Sequence, residues 1–251
     1  MREAVKIITF HSFRRGTGRT NLLASLATLL AQKGMRVGVI DTNMQSPSAH
    51  ILFKLPDSEI THTLDNYLWG ECELEQAIYD ISKYIGVGSD LLYLIPTSDD
   101  MARIMRILKD GYDISRLTTA FTRFARLHNL DYLFIDSSSG LNEDIFISMS
   151  VTDILVIVMR LDEQDYQGVS MTLDIAKRLD LSRSLVVVNN VPHGYNQKSV
   201  GMQIARNFDC EVGAVLPHSE DFLTLASEGI FALRYPEHPI TLLMEEFADK
   251  L

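Results

Sequence analysis

The sequence is poor in the residues and segments that characterise secreted and membrane-embedded proteins. Its 251 residues include two cysteines, Cys72 and Cys210, which lie far apart and lack the spacing of metal ligands. A reducing, cytoplasmic compartment is therefore the simpler interpretation. No run approaches the roughly 18 apolar residues that a membrane-spanning helix needs. The opening residues, MREAVKIITF, have the apolar length of a strand and then turn polar, unlike a signal peptide.

Positive charge and metal-binding patterns are also scarce. The chain has 23 lysines and arginines against 33 aspartates and glutamates, which gives a net charge of −10. Between residues 191 and 251 the only basic side chains are Lys198, Arg206, Arg234 and Lys250. Because DNA binding needs clustered lysine and arginine, the overall charge disfavours DNA and anionic membranes, although a local basic patch stays open. The seven histidines show no ligand spacing, which disfavours a metal enzyme.

The sequence does contain a regular alternation of strand-like and helical patterns. Apolar runs predict strands at VKIITF and RVGVID and at residues 91–96, 131–136, 153–159, 184–190 and 211–217. Helical spacing follows the first run at Leu22, Leu23, Leu26, Leu29 and Leu30, and recurs at 112–128, 164–179, 196–207 and 240–251. Strands that are apolar throughout are typical of parallel sheets. The pattern predicts a single doubly wound α/β domain over residues 1–251, with a mostly parallel sheet and helices on both faces.

The stretch RRGTGRT, residues 14–20, follows the first strand-like run and precedes the leucine-rich helix. Gly16 and Gly18 allow backbone N–H groups to turn inward around a phosphate chain, and the helix that follows adds its positive N-terminal end. Arg19 occupies the position from which a P-loop lysine reaches the terminal phosphates, and Thr20 the position of a hydroxyl that binds Mg²⁺. Taken alone, the Gly-Thr-Gly turn is equally compatible with a tight strand-to-helix connection.

Acidic and polar residues follow two further predicted strands. Asp41 and Asn43 come after the second strand, and Asp136 ends DYLFID, where it matches the acidic residue of a Walker B pattern. Residues 137–139 are serines without a G-x-S-x-G setting, which favours loop donors over nucleophiles. Each Asp alone is compatible with a helix cap or a turn. Because ligands bind beyond the carboxyl ends of parallel strands, the combination predicts a nucleotide-phosphate site.

In these motifs the sequence resembles the MinD/ParA family of deviant Walker ATPases, over nearly the whole chain. RRGTGRT aligns without gaps with the family loop K-G-G-x-G-K-[ST], and the family's D-x-D switch falls on Asp41 and Asn43. AQKGMRVGVID and LFIDSSSGLNED resemble the segments around the second strand and the Walker B motif. VVVNN resembles the segment whose Asn reads the adenine, here Asn189, and VLPHSEDFLTLASEGIFALRYPEHP resembles the late loop that lines the base.

The resemblance implies a P-loop protein that binds ATP or ADP with Mg²⁺ and forms a homodimer with two nucleotides sandwiched between subunits. Members of the family position cargo such as chromosomes, plasmids, division machinery, flagella or carboxysomes, usually with an activating partner. The implied metal-site residues are Thr20, Asp41 and Asp136, and the implied catalytic residues are Arg14, Arg19, Asp41 and Asn43. The implied nucleotide-binding residues are Arg15, Gly16, Thr17, Gly18, Arg19, Thr20, Asn21, Asn189 and Pro217.

Four positions depart from the family pattern. Arg14 replaces the signature lysine that reaches the partner's nucleotide, but it keeps the charge and can fork onto phosphate oxygens. Arg19 replaces the P-loop lysine with a larger planar head. Arg15 replaces a glycine, at a cost of about 1 kcal/mol if the position requires a positive φ. Asn43 replaces the Asp associated with the attacking water, and an amide is not a general base at neutral pH.

These departures favour an ATP-binding switch with slow hydrolysis that recruits a cargo through a protein adaptor or activator. A pseudo-ATPase scaffold with little or no turnover is the alternative. A metabolic P-loop enzyme is a third hypothesis, but the sequence shows no second group of polar residues that could bind the second substrate of such an enzyme. The chain stops at PITLLMEEFADKL without a basic–apolar extension, so no membrane-targeting tail is expected. Arg160 could supply an additional cation to the site, but a solvated strand-end arginine is the favoured interpretation.

Overall fold

The computed structural model describes residues 4–251, in which strands and helices alternate. The strands are β1 (Lys6–His11), β2 (Val37–Asp41), β3 (Tyr79–Asp80), β4 (Leu92–Ile95), β5 (Tyr132–Asp136), β6 (Ile154–Met159), β7 (Arg183–Val191) and β8 (Glu211–Pro217). The helices are α1 (Arg19–Gln32), α2 (Ala49–Leu52), α3 (Leu64–Leu68), α4 (Met101–Asp110), α5 (Ile114–Leu127), α6 (Glu143–Met149), α7 (Glu163–Arg178), α8 (Gln197–Phe208), α9 (Glu220–Leu225), α10 (Phe231–Arg234) and α11 (Pro239–Ala248). Short 3₁₀ segments lie at Asp57–Glu59, Leu74–Ala77 and Ser82–Ile85.

The strands within residues 4–251 form one eight-stranded sheet in the order β3-β4-β2-β5-β1-β6-β7-β8. All neighbouring strands are parallel except β3 and β4, which are antiparallel. Parallel neighbours cannot be joined by a tight turn, so helices make the crossover connections. The register of β2 against β5 pairs Asp41 with Asp136. Both acidic residues therefore end their strands at the edge of the sheet where the loop after β1 begins.

Helices cover both faces of the sheet. Successive residues of a strand point to opposite faces, so Ile8 and Phe10 pack with α1, α2, α10 and α11, whereas Ile7 packs with α3 and α5. Further along the sheet, α6, α7 and α8 cover the second face over β6 and β7. The strands are buried along nearly their whole length, as a sheet covered on both faces requires. The predicted doubly wound, mostly parallel fold is confirmed.

Some elements were not predicted from periodicity, namely α4, α6, the short strand β3 and several one-turn helices. Helix α4 has apolar residues with helical spacing at Met101, Ile104, Met105 and Leu108, but none of its residues is fully buried and three of these four are exposed, so this apolar face does not pack into the core. Asp100 starts this helix by accepting hydrogen bonds from two backbone N–H groups of the first turn. Within the described part of the chain, no helix is long and apolar enough to span a bilayer.

Candidate functional site

The loop between β1 and α1 has a shape that requires glycine at two positions. Gly16 has φ of 74° and Gly18 has φ of 86°, in the left-handed region that side chains disfavour. A Cβ added at Gly18 would also lie 2.3 Å from Nδ2 of Asn189. That amide donates a hydrogen bond to the carbonyl of Thr17 at 2.7 Å and so ties the loop to the end of β7. Arg15 is not among the described non-glycine residues with positive φ, so its replacement of a glycine causes no backbone strain of this kind.

The first residues of α1 attach directly to the end of β5. Arg19 is only 5% exposed, and its Nε donates to Oδ1 of Asp136 at 2.6 Å. Its Nη1 donates to the hydroxyl oxygens of Ser12 and Ser139, each at 3.2 Å. The hydroxyl of Thr20 donates to the second oxygen of Asp136 at 2.8 Å. Both oxygens of this fully buried carboxylate therefore have donors, one of them charged, which offsets its desolvation.

Asp41 is the second fully buried carboxylate of the site. Its oxygens accept backbone N–H groups from Asn43 at 2.9 Å and from Ser48 and Ala49 at 3.2 Å, which shape the loop leading into α2. Burial, together with the neighbouring negative charge of Asp136, raises the pKa of Asp41 to about 7. At neutral pH its proton is therefore easily gained or lost, which ordinary aspartates do not show.

Asn43 also lines the site, but its side chain is bound within its own loop. Its Nδ2 donates to the carbonyl of Ser46 at 2.7 Å, and its backbone N–H donates to Asp41. The amide cannot take a proton from water at neutral pH. In the MinD/ParA family this position carries the Asp associated with the attacking water. Here it carries Asn43, which can orient a water molecule but cannot deprotonate it.

Arg14 lies at the rim of the site in a cluster of four charged side chains. Its Nη1 is 2.8 Å from both carboxylate oxygens of Asp162, and its Nε is 4.0 Å from Asp165. Arg160 lies 3.6 Å from the same two carboxylates and is 30% exposed. The expectation that Arg160 is simply solvated was therefore wrong, because α7 begins with two acidic residues that face the end of β6. Arg14 and Arg160 share these two partners.

Two adjoining cavities follow the loop. The smaller, of about 200 Å³, is lined by Arg15, Arg19, Thr20 and Asn43 among others. The larger, of about 300 Å³, lies on the side of β7 and β8. Its further lining residues are Asn189, Asn190, Pro217, Ser219, Phe222, Leu223 and Ala226. Both cavities are lined by Gly16, Thr17, Gly18, Asn21 and Ser227. The sequence-predicted nucleotide residues thus come together around a continuous groove with a polar end and a more apolar end.

The groove suits a nucleotide phosphate chain with a divalent cation. The hydroxyl of Thr17 is buried in the loop without a hydrogen-bond partner, as expected of a donor that awaits an anion. Residues 4–251 contain no cluster of three acidic, histidine or cysteine side chains that could hold a metal ion alone. Mg²⁺ usually takes one or two protein oxygens together with substrate phosphates, and Thr20 lines the smaller cavity while its hydroxyl contacts the buried Asp136, which lies beside Asp41 in the sheet. The residues present therefore fit both groups.

Comparison with known proteins agrees with this geometry. A family model described as an AAA domain matches residues 5–186. An uncharacterized ATP-binding protein of Methanocaldococcus jannaschii is 24% identical over 246 residues, which cover 97% of this chain and 86% of that protein. The septum site-determining protein MinD of Bacillus subtilis is 29% identical over 154 residues, 60% of this chain and 52% of that protein. The solved structure of MinD from Pyrococcus horikoshii complexed with Mg-ADP has a TM-score of 0.81 at 21% identity, covering 98% of this chain and 96% of that one.

The chain belongs to the MinD/ParA-type family of P-loop ATPases. The family model spans most of the chain and shows the membership, while the structural similarity shows the fold. Membership implies a nucleotide ligand and usually Mg²⁺. The match to the Bacillus subtilis relative covers about half of that protein.

Two residues next to the site of this MinD/ParA-type ATPase, His11 and Ser12, were not predicted from the sequence. His11, at the end of β1, is fully buried, and burial together with the nearby Arg19 lowers the pKa of its imidazole to about 3. It is therefore neutral at physiological pH and accepts or donates one hydrogen bond with the hydroxyl of Ser137 at 3.1 Å. Sequence reasoning also missed Ser12, which holds Arg19, since a serine at a strand end carries no distinctive signal.

A second polar pocket, of about 210 Å³, lies beyond the ends of β2 and β4. Its lining includes His50, Thr63, Thr97 and Arg103. The hydroxyl of Thr97 donates to the backbone carbonyl of Asp41 at 2.5 Å, so this pocket adjoins the nucleotide groove. The sequence showed no second polar constellation because these residues come from separate segments that only the fold brings together. A second polar pocket is therefore present, contrary to the expectation from the sequence.

Proposed function

We propose that this chain is an ATP-binding switch of MinD/ParA type that dimerises with ATP, hydrolyses it slowly, and positions or recruits a cellular cargo through a protein partner in the cytoplasm. In this proposal residues 1–251 form one P-loop ATPase domain. The observation that carries it is the contact of Arg19 and Thr20, which line the smaller cavity, with the buried Asp136, which the sheet register pairs with the equally buried Asp41.

In the proposed complex the phosphates lie in the smaller cavity and the base lies in the larger one. The loop N–H groups and the start of α1 face the phosphates, where their partial positive charge favours an anion. Asn189 and Pro217 flank the base, and Phe222 lines the same cavity with an apolar surface. Bound Mg²⁺ would supply further positive charge at the phosphate oxygens and would be held by Thr20, Asp41 and Asp136, directly or through water.

Slow hydrolysis follows from the residues that surround the place of the attacking water. Asn43 lacks a basic oxygen, and its amide is engaged with Ser46. Asp41 is the nearest other acidic side chain of this loop, but both of its oxygens accept backbone N–H groups of residues 43, 48 and 49. We therefore expect binding to be stronger than turnover, so that the nucleotide-bound state is long-lived.

Dimerisation and recruitment are the least direct parts of the proposal. Arg14 stands at the rim of the groove with 36% of its side chain exposed, where a partner subunit's nucleotide would come within reach. Its pairing with Asp162 would have to open for that contact, and an exposed ion pair of this kind is worth only about 0.2–1 kcal/mol. A protein adaptor or activator is proposed because the acidic overall charge disfavours nucleic acid.

Two measurements on the purified protein test the proposal. Calorimetry should detect binding of ADP and ATP, and light scattering should report a mass close to 28.3 kDa with ADP and about twice that with ATP. Absence of binding to either nucleotide would contradict the nucleotide site. Binding without any change of mass would contradict the switch while leaving the site intact.

Two alternatives are separated by product analysis. A pseudo-ATPase scaffold would bind nucleotide but release no phosphate, even over long incubation with its protein partner. A metabolic P-loop enzyme is favoured by one observation, the second polar pocket beside Asp41, where a second substrate would adjoin the phosphates. Such an enzyme would transfer phosphate to a small molecule, whereas a switch ATPase transfers it only to water.

A further inference from the structure

The second polar pocket, beyond the ends of β2 and β4, contains a buried histidine whose hydrogen bonds are unfilled. His50 lines this pocket and is only 4% exposed. Neither of its ring nitrogens makes a hydrogen bond within residues 4–251. Buried polar groups in proteins are nearly always paired. The imidazole is therefore a hydrogen-bonding group that a ligand in the pocket can satisfy.

The buried hydroxyl groups beside His50 have already donated their protons. The hydroxyl of Thr97, which is 2% exposed, donates to the backbone carbonyl of Asp41 at 2.5 Å. The hydroxyl of Thr63 donates to a carboxylate oxygen of Asp65 at 2.6 Å. Since a hydroxyl has one proton and two lone pairs, the oxygen of Thr97 is left as an acceptor. A ligand hydroxyl suits this buried end, because it can donate to Thr97 and accept from the imidazole N–H.

The exposed rim of the same pocket carries two carboxylates without a counter-charge. Asp57 and Asp99 line the pocket and are exposed, and neither forms an ion pair in the described part of the chain. Arg103 also lines the pocket, but its Nη1 is 2.9 Å from Asp65 and 3.4 Å from Glu71, which neutralise its charge. The rim therefore attracts a cation and repels an anion.

The start of α4 and the size of the pocket narrow the choice of ligand further. The first backbone N–H groups of this helix, those of Ala102 and Arg103, already donate to Asp100 at 2.8 and 3.1 Å, so they are not available to an anion. The pocket volume of about 210 Å³ equals that of roughly seven water molecules. This volume suits a small organic molecule.

We propose that the second polar pocket binds a small amino alcohol, with its ammonium group at Asp57 and Asp99 and its hydroxyl group at His50 and Thr97. The charged end then stays at the exposed rim, where its desolvation is small, and the neutral end occupies the buried part. The bond from Thr97 to the carbonyl of Asp41 places this ligand next to the nucleotide groove. The inference goes beyond the proposed switch and does not depend on it, because these four binding residues do not line that groove.

The test titrates the full chain with 4-amino-1-butanol, without nucleotide, by isothermal titration calorimetry at about 0.15 M salt. We expect a dissociation constant below about 1 mM. Two analogues each lack one end of the probe. 4-Hydroxybutyrate has a carboxylate in place of the ammonium group, and butylamine has no hydroxyl. Each should bind at least about tenfold more weakly than 4-amino-1-butanol.

A pair of matched variants locates the binding. Asp99→Asn removes one charge of the rim and should weaken binding of 4-amino-1-butanol by at least about threefold. Asp174→Asn makes the same exchange at an exposed position of α7 and should bind as the wild type does. Thermal melting checks that both variants are folded. Equal weakening in the two variants would indicate unspecific attraction to an acidic protein and would overturn the proposal.

The wild type alone also decides the question. A dissociation constant of about 1 mM or weaker for 4-amino-1-butanol overturns the proposal, and so does an affinity for either analogue within about tenfold of it. ADP is titrated into the same preparation as a separate measurement. If ADP binds and the amino alcohol does not, the second pocket has been assigned wrongly while the proposed nucleotide site stands. Failure of ADP alone would have the reverse meaning.

Discussion

Individual side chains of the site show a burial and a protonation behaviour that are unusual for their residue types. Asp41 and Asp136 are fully buried aspartates at the ends of adjacent strands, and only Asp136 has a cationic partner. Burial and the neighbouring charge of Asp136 both disfavour the ionised form of Asp41, so the pKa of Asp41 rises to about 7. The site therefore couples proton binding to folding and to the approach of cations.

The raised pKa of Asp41 predicts a pH-dependent stability. Between pH 4 and about 7 the folded state keeps a proton on Asp41 that the unfolded chain has lost, so the free energy of unfolding falls as pH rises and levels off above 7. The contribution from pH 5 to 8 is about 2–3 kcal/mol. Urea unfolding of the wild type at pH 5 and pH 8 should show this fall. In Asp41→Asn the fall in the free energy of unfolding between the same two pH values should be smaller by about 2–3 kcal/mol. Equal falls in the two proteins would contradict the assignment.

Asn43 predicts a gain of turnover on substitution. Asn43→Asp places a basic oxygen beside the expected water, and general-base assistance typically contributes about 10²–10⁴-fold, so an increase of at least about tenfold in steady-state phosphate release is expected. Asn196→Asp is the matched control, because Asn196 caps the distant helix α8 and an aspartate caps equally well. Turnover that stays unchanged in Asn43→Asp would locate the cause of slow hydrolysis elsewhere.

Gly18 predicts a loss of nucleotide affinity on substitution by alanine. The added Cβ would meet Asn189 at 2.3 Å and would have to be accommodated at φ of 86°, so the loop must shift. We expect a stability loss of about 1–2 kcal/mol and weaker binding of ADP by calorimetry. Gly229→Ala is the control, since its Cβ meets nothing within 4 Å and its φ is not positive. Similar effects of the two substitutions would argue against a special role for the loop shape.

Whole elements meet at the rim of the site, where the β1–α1 loop contacts the start of α7. Asp162 caps α7 by accepting the N–H of Asp165, and the same carboxylate holds Arg14. Replacing Asp162 by asparagine preserves an oxygen for the cap but removes the charge that retains Arg14. The contact between loop and helix can therefore be weakened without unfolding the helix.

Asp162→Asn is expected to favour the ATP-bound dimer. Arg14 of each subunit would no longer have to leave an ion pair worth about 0.2–1 kcal/mol, and two such pairs per dimer correspond to at most about a thirtyfold gain in the dimerisation constant. Sedimentation velocity with ATP measures that constant. Asp249→Asn, which breaks an exposed pair with Lys33 elsewhere, is the control and should have no effect. A weaker dimer in Asp162→Asn would show that the pair supports assembly instead of opposing it.

The elements that could be predicted from sequence are those whose local residue pattern indicates their secondary structure and burial. The strands were predictable because apolar residues run continuously through β4, β6 and their neighbours, and the loop because its glycines precede a leucine-rich helix. The contact of Arg19 with Asp136 was not, since it joins residues 117 positions apart and depends on the order of strands in the sheet. The pairing of Arg14 with Asp162 spans 148 positions and escaped prediction for the same reason.

At the scale of the whole molecule, arginines that could form a basic surface are paired with acidic residues. Arg103 and Arg106 bind Glu71, Arg123 binds Glu73 and Glu75, and Arg183 binds Glu211. These pairs neutralise the arginines named here, and the net charge of −10 opposes the approach of a polyanion.

This charge distribution predicts weak binding to DNA in every nucleotide state. Anisotropy titrations of a labelled duplex should show no binding below micromolar protein at about 0.15 M salt, with ADP or with ATP. Weak binding that appears only at low salt would agree with the prediction, because physiological salt then suffices to screen the attraction. Tight, ATP-dependent binding at physiological salt would contradict it and would require that dimerisation align the remaining unpaired cations of two subunits into one surface. Since one subunit's own acidic residues neutralise the arginines named above, such a surface would have to be built from other side chains, and the recruited partner would then be nucleic acid instead of protein.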